Sequence, residues 1–331
     1  MGRIYQADGE PEIALAVNLD PGLFTAFGLL NSAGYNTENG WRFHQVRKAV
    51  RLKLAHSGDY WREQFSEAGL MEPALRAGGA MVMDIIPLLS LPPDFIIKPR
   101  GEIYSTPWQR ESEAVLQGID QWLRRFYEEE AIDSLWSEHL EAYQAEGAKF
   151  DKVIQILLAI ARQFSEPLQG LGLRITLMPN LLDAKGRGYS LSSDDSTWLF
   201  FGPLEEGMVI KTAIHELLHR WVDRAIDAAM AETRDFSAMF RAKAKFPIVA
   251  VNYPDLPIWA SEIVVRAATM WFIHKMGLSS ENPAEMLALD EHMGFLHVQE
   301  VFRHFEFYST CSASVAVQEA IKVLTRRLEI E

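Results

Sequence analysis

His215-Glu216-Leu217-Leu218-His219 is the stretch on which the reading of this chain turns. It sits in a run, residues 205–229, in which Ile210, Ala213, Ile214, Leu217, Leu218, Trp221 and Ala225 recur at helical spacing. That spacing predicts a helix with one buried stripe. Residues four apart on a helix lie one turn above each other on the same face. His215 and His219 can therefore offer two imidazoles to one divalent ion. Glu216 is about 100° further round the helix, too far to be a third ligand but well placed to hold a water beside that ion. Two imidazole ligands with an adjacent carboxylate as general base is what metal-assisted hydrolysis needs.

The third ligand has to come from elsewhere, because a catalytic zinc takes three protein ligands and keeps one position for water. Asp223, four residues past His219, is one option, either as a ligand, as an acceptor behind the ligands, or as a surface charge. The stronger candidate is Glu262, in Pro257-Ile-Trp-Ala-Ser-Glu-Ile-Val-Val-Arg266. Residues 258–274 carry the apolar repeat of a second buried helix, opened by Asp255 and Pro257. A carboxylate in so apolar a helix needs a partner, since an unpaired buried charge is costly. A metal and Arg266, at i+4, can each supply one.

The motif from His215 to His219, followed by Glu262 on a separate helix, resembles the gluzincin metallopeptidases, the group that includes thermolysin-like enzymes and the zinc aminopeptidases. In the wording around the motif and in its helical N-terminal half, the chain looks closest to bacterial members of that superfamily known only as domains of unknown function. The specific part of the resemblance covers roughly residues 173–275. It implies that His215, His219 and Glu262 hold one Zn2+ per chain, that Glu216 is the base, and that the substrate is a peptide or protein. It also implies an oxyanion donor beyond the metal, a Tyr or His from a later segment. Tyr308, in Phe305-Glu-Phe-Tyr-Ser-Thr310, is the first choice; Tyr253, Tyr189, His304 and Arg266 are rivals. Many gluzincins place an Asp four residues after the ligand Glu to orient a zinc-bound His. Here that position is Arg266, so the acceptor comes from elsewhere, with Asp223 one option. The alternative is a binding or regulatory module, or a metal hydrolase for another substrate, on the same scaffold. Glu216 favours an enzyme, because a structural metal site closes its fourth position with protein and needs no base.

The fold expected around this motif is α+β and mainly helical. Residues 1–168 form a mostly helical N-terminal region, and residues 169–331 a zincin-like catalytic domain with a small sheet next to the motif helix. Ile13, Leu15, Val17 and Leu19 alternate as an opening strand. Helices are predicted over 21–30, 41–56, 60–68, 79–91, 107–126, 131–143 and 148–164, with a turn at 36–40 and a loop at 98–101. Trp108, Trp122, Phe126 and Trp136 fall at helical spacing and read as core. The basic residues Arg42, Arg47, Lys48, Arg51 and Lys53 read as a solvated helix face. After Pro167 the pattern changes to strands over 173–178, 188–191 and 196–201. The last of these leads through Gly202-Pro203 into the motif helix; the resemblance to zincins implies that an edge strand beside that helix pairs with an extended peptide, and this strand is the candidate, the alternative being an ordinary sheet strand. Three more helices, over 282–289, 293–307 and 313–328, complete the chain, the last capped by Ser312 or Ser314.

Composition narrows the function classes. A formal net charge of -13, from 45 acidic and 32 basic residues, argues against nucleic acid as a partner. The single cysteine, Cys311, excludes an internal disulfide framework and reads as a small buried filler. It fits a reducing, cytoplasmic setting, with a trimmed secreted or periplasmic form without disulfides as the alternative. Residues 1–20 show no signal-peptide pattern. The longest apolar stretch, 80–91, is broken by Asp84 and Pro87, so no integral membrane segment is expected. Oligomeric state is not encoded in any motif.

Overall fold

The computed structural model describes residues 3–7, 13–36, 43–98, 107–164, 172–232, 245–246, 249, 253 and 255–330. The expected turn at 36–40, Arg42, the loop at 98–101, Pro167 and the side chain of Trp108 lie wholly or partly outside them. The chain is α+β and mainly helical, with one small mixed sheet. It divides into two compact units: residues 1–154 with 170–209, and residues 155–169 with 210–331.

In the first unit, five strands form a sheet in the order β1-β2-β3-β5-β4: β1 Arg3–Ala7, β2 Ile13–Val17, β3 Leu173–Pro179, β4 Gly188–Ser192 and β5 Ser196–Phe201. Strands β2, β3 and β5 run parallel, while β1 and β4 pair antiparallel at the two edges. Ile13, Leu15 and Val17 point to one buried face, as alternation requires. This pairing explains why the division expected at 168/169 differs from the grouping observed. The parallel bond between β2 and β3 joins residues from both sides of that boundary. It also corrects the expectation for residues 196–201. β5 has β3 on one side and β4 on the other, so it has no open edge to offer a peptide.

The helices of this unit are α1 Pro21–Ser32, α2 Gln45–Lys53, α3 Gly58–Glu67, α4 Met71–Leu75, α5 Ala80–Ile85, α6 Pro107–Val115, α7 Ile119–Glu129 and α8 Ile132–Ala148. Asp20 caps α1, accepting from the Leu23 amide at 2.8 Å. The single helix expected over 107–126 is two, broken where Gly118 takes φ +87. Phe24, Phe27, Trp61, Phe65 and Phe126 form the heart of the core, with Trp122 and Trp136 packed partly buried against it. The basic face of α2 is not wholly solvated. Arg47 is fully buried, donating through Nε to Asn31 Oδ1 at 2.7 Å and through Nη2 to the Tyr35 carbonyl at 3.1 Å. Burial pulls its guanidinium down to about 10, which leaves it charged at neutral pH.

Among the described residues, the second unit holds α9 Ile154–Gln163 apart from its first residue, all of α10 Glu206–Glu232 beyond Val209, and four further helices: α11 Leu256–Lys275, α12 Pro283–Met293, α13 Val298–Phe307 and α14 Ala313–Ile330. Ala213, Ile214, Leu217, Leu218, Val222 and Ile226 bury one face of α10. Trp221 is half-buried and stacks on Phe164, with ring centroids 4.4 Å apart. α11 packs against α12, α13 and α14, which leaves it buried nearly all round. Among the described residues it is the one helix long and apolar enough to cross a membrane, a longer apolar segment than residues 80–91. Within its most apolar window, 83% is buried by protein. Ser312 accepts from the Val315 amide at 3.4 Å at the start of α14. Cys311, expected to be buried, is exposed beside that cap.

The link from β5 to α10 depends on Gly202. Its amide donates to the Arg187 carbonyl at 2.9 Å, and a Cβ there would sit 2.0 Å from the Ala184 carbonyl oxygen. No rotamer relieves a clash with backbone. Gly202→Ala is therefore expected to cost about 1–3 kcal/mol, read as a lower denaturant midpoint with unchanged slope in chemical unfolding.

Candidate metal centre

Two helices of the second unit build the site. α10 presents His215 and His219 one turn apart, with Nε2 atoms separated by 3.3 Å. α11 brings Glu262 to the same point, its Oε1 lying 3.6 Å from His215 Nε2 and 3.4 Å from His219 Nε2. Ligand atoms bound tetrahedrally at about 2.0–2.1 Å stand about 3.4 Å from one another. All three separations match that spacing. Two imidazole nitrogens and one carboxylate oxygen also form the donor set of an open, catalytic zinc site rather than a closed structural one. The residues present fit the ion.

The groups behind these three hold them in orientation. His219 Nδ1 lies 2.9 Å from Asp223 Oδ1, so an Nδ1–H donated to Asp223 leaves Nε2 as the lone-pair nitrogen facing Glu262. Ser261, the residue before Glu262, donates its hydroxyl to the same Asp223 oxygen. Asp223 is thus the acceptor behind the histidine, and not a fourth donor at the cluster. Glu262 divides its two oxygens. Oε1 faces the histidines, while Oε2 accepts from Arg266 Nε at 3.1 Å. Arg266 and the histidines are therefore partners of Glu262 at once, each on its own oxygen.

Charge in the cluster is strongly coupled. Burial alone would raise the Glu262 carboxyl, but His215, His219 and Arg266 outweigh it and hold the group well below the usual carboxylate range. Burial alone would lower His219, but Asp223 and Glu262 outweigh it and hold the imidazolium well above its usual value. Glu216 is buried beside them. Desolvation pushes its carboxyl up against the opposing pull of His215 and His219, with Glu262 and Asp223 adding to the rise.

The tyrosines sort differently from the expectation. Tyr308 closes α13, and its ring contacts His304 and Phe307. Neither it nor His304 has a described contact with the cluster. Tyr189 is in the first unit, donating to Asp84 at 2.5 Å. Among the described residues, Tyr253 is the tyrosine within electrostatic reach of the cluster, facing Glu262, Arg266 and Glu216. Burial first, and then Glu262, push its hydroxyl up to about 12. Sequence reasoning ranked Tyr253 behind Tyr308 and missed Ser261, Asp290 and Phe295. Ser261 had a signal available, since a small hydroxyl inside an apolar helix needs an acceptor.

Comparison with family models, with curated proteins and with solved structures finds no match for this chain.

The purified protein is expected to hold about one zinc per chain, lost in His219→Ala and in Glu262→Ala, as measured by elemental analysis. Asp223→Asn is expected to retain the site but weaken zinc about 10–100-fold in a chelator competition. Zinc binding has to displace the proton on His219. Because the folded metal-free protein holds that proton above its ordinary value, imidazolium stabilises it fully below about pH 6.5, and the contribution is lost as pH rises through the raised value. Zinc affinity has the opposite slope, falling up to about tenfold per pH unit below that raised value. Calorimetric titration in two buffers of different ionisation enthalpy reads the released proton directly.

Proposed function

We propose that this chain is a zinc-dependent metallopeptidase of the gluzincin type, cleaving peptide bonds in a peptide or protein. The observation that carries this reading is the convergence of His215, His219 and Glu262 donor atoms, 3.3 to 3.6 Å apart, across the intervening residues 220–261. A mixed sheet followed in sequence by the motif helix supports the zincin-like reading of the fold.

When bound, zinc supplies the Lewis acidity that polarises a carbonyl and brings the pKa of an attacking water toward neutrality. Glu216 takes the proton from that water and hands it to the leaving amine. Its burial suits both halves of the task, since desolvation raises a carboxyl toward the pH at which it can accept and release a proton. Tyr253 keeps its proton across the physiological range and donates a hydrogen bond to the negative charge developing on the carbonyl oxygen. Asp223 keeps His219 in the tautomer that points its lone pair at the ion, and Arg266 keeps one oxygen of Glu262 turned toward it.

Glu216→Gln separates binding from chemistry. The variant is expected to keep stoichiometric zinc while turnover of a quenched-fluorescence peptide library drops by about 10²–10⁴-fold. Equal activity in that variant would exclude Glu216 as the base. Removing zinc with a chelator should abolish turnover in the unaltered protein, and adding zinc back should restore it.

A further inference from the structure

Arg266 gathers groups from several segments of the second unit. Its Nε donates to Glu262 Oε2 at 3.1 Å, and its Nη1 donates to Asp290 Oδ1 on α12 at 2.8 Å. Its guanidinium carbon lies 3.8 Å from the centre of the Phe295 ring. The Tyr253 hydroxyl lies within its electrostatic reach. Phe295 in turn meets the Tyr253 ring edge to face, with centroids 5.5 Å apart. Phe295 is itself held by its neighbour: Gly294, at φ +110, accepts from Trp259 Nε1 of α11 at 3.1 Å.

A guanidinium has five donors in one plane and no acceptor. Toward Arg266 the Tyr253 oxygen can therefore only accept, which leaves its own hydrogen to point away toward another acceptor. The planar fork fixes the angle between the Glu262 and Asp290 contacts in a way that a flexible ammonium cannot, and so fixes the guanidinium beside Tyr253. Asp290, buried and paired with the other side of the fork, stops the guanidinium from swinging wholly onto Glu262.

We propose that Arg266 is a positioning residue that locks the zinc ligand Glu262 and the hydroxyl of Tyr253 into one arrangement, with Asp290 anchoring its fork. The inference rests on the metal-centre reading of the same site. A change at Arg266 reaches the metal and the carbonyl oxygen of a bound ligand together. A change at Tyr253 reaches the carbonyl oxygen alone.

The test uses Arg266→Lys, Asp290→Asn, Tyr253→Phe and the Arg266→Lys/Tyr253→Phe double variant of the full chain. Zinc affinity is read by competition with a chromophoric chelator. Acetohydroxamate, a small zinc-binding carbonyl compound, then probes each zinc-loaded protein. Arg266→Lys is expected to weaken zinc about 10–100-fold and Asp290→Asn to weaken it in the same direction, while Tyr253→Phe leaves zinc unchanged. Acetohydroxamate should bind about 5–10-fold more weakly to Tyr253→Phe and to Arg266→Lys. The double variant should be no worse than the weaker single one, because the two residues act as one unit. Unchanged zinc affinity in Arg266→Lys, or multiplied acetohydroxamate losses in the double variant, overturns the proposal. If Arg266→Lys does not fold, unchanged zinc affinity in Asp290→Asn overturns it instead. An unaltered protein that binds no zinc sinks the metal reading and this proposal with it. One that binds zinc identically with and without Arg266 sinks this proposal alone.

Discussion

Glu262 is a carboxylate set among Trp259, Ala260, Ile263, Val264 and Val265, all of them buried. Taking such a charge out of water costs several kcal/mol unless it is met by opposite charge and hydrogen bonds. The polar groups described around it are arranged to meet it. One of its oxygens turns to two imidazoles and the other to a guanidinium. That guanidinium needs a second carboxylate, Asp290, and an aromatic face, Phe295, to keep its own burial tolerable. The apolar helix is thus a scaffold for one charge, and the charge sets the positions of its neighbours.

The same constraint divides labour between the two helices. α10 supplies the repetition, since a four-residue spacing stacks His215, His219 and Asp223 on one face, and a short range of residues carries two candidate ligands and an orienting acceptor. α11 supplies the charge and the rigidity. Ser261 and Glu262, adjacent in sequence, reach Asp223 and the histidines respectively, so two consecutive side chains tie the helices together at two depths. The acidic group that holds His219 thus comes from the histidine's own helix, and position 266 is left to hold Glu262.

What could be read from the sequence was local. The motif helix, the alternation of Ile13, Leu15 and Val17, and the second buried helix all carry periodicities that span a few turns or one strand. The pairing of Asp223 with His219 obeys the i+4 rule, which made it a nameable option. What could not be read depends on partners distant in sequence. Arg266 and Asp290 are 24 residues apart, Ser261 and Asp223 are 38, and no period connects either pair. The interior place of β5 follows from its pairing with β3 on one side and β4 on the other, which residues 196–201 do not announce. Arg47 looked like one more solvated cation because a basic helix face and a buried guanidinium have the same spacing. Only Asn31 and the Tyr35 carbonyl tell them apart. The preference for Tyr308 over Tyr253 likewise had no periodicity behind it, and the placement of Tyr253 near Glu262 and Glu216 reverses it.

All three donor atoms, and the groups that orient them, belong to the second unit, while the sheet belongs to the first. A ligand that binds only a native state stabilises whatever must be native to bind it. On the proposed reading, metal occupancy would therefore tune the stability of the second unit, and growth in a zinc-poor medium would loosen it. The fold of the first unit draws instead on Gly202, Arg47 and the aromatic core around Phe126.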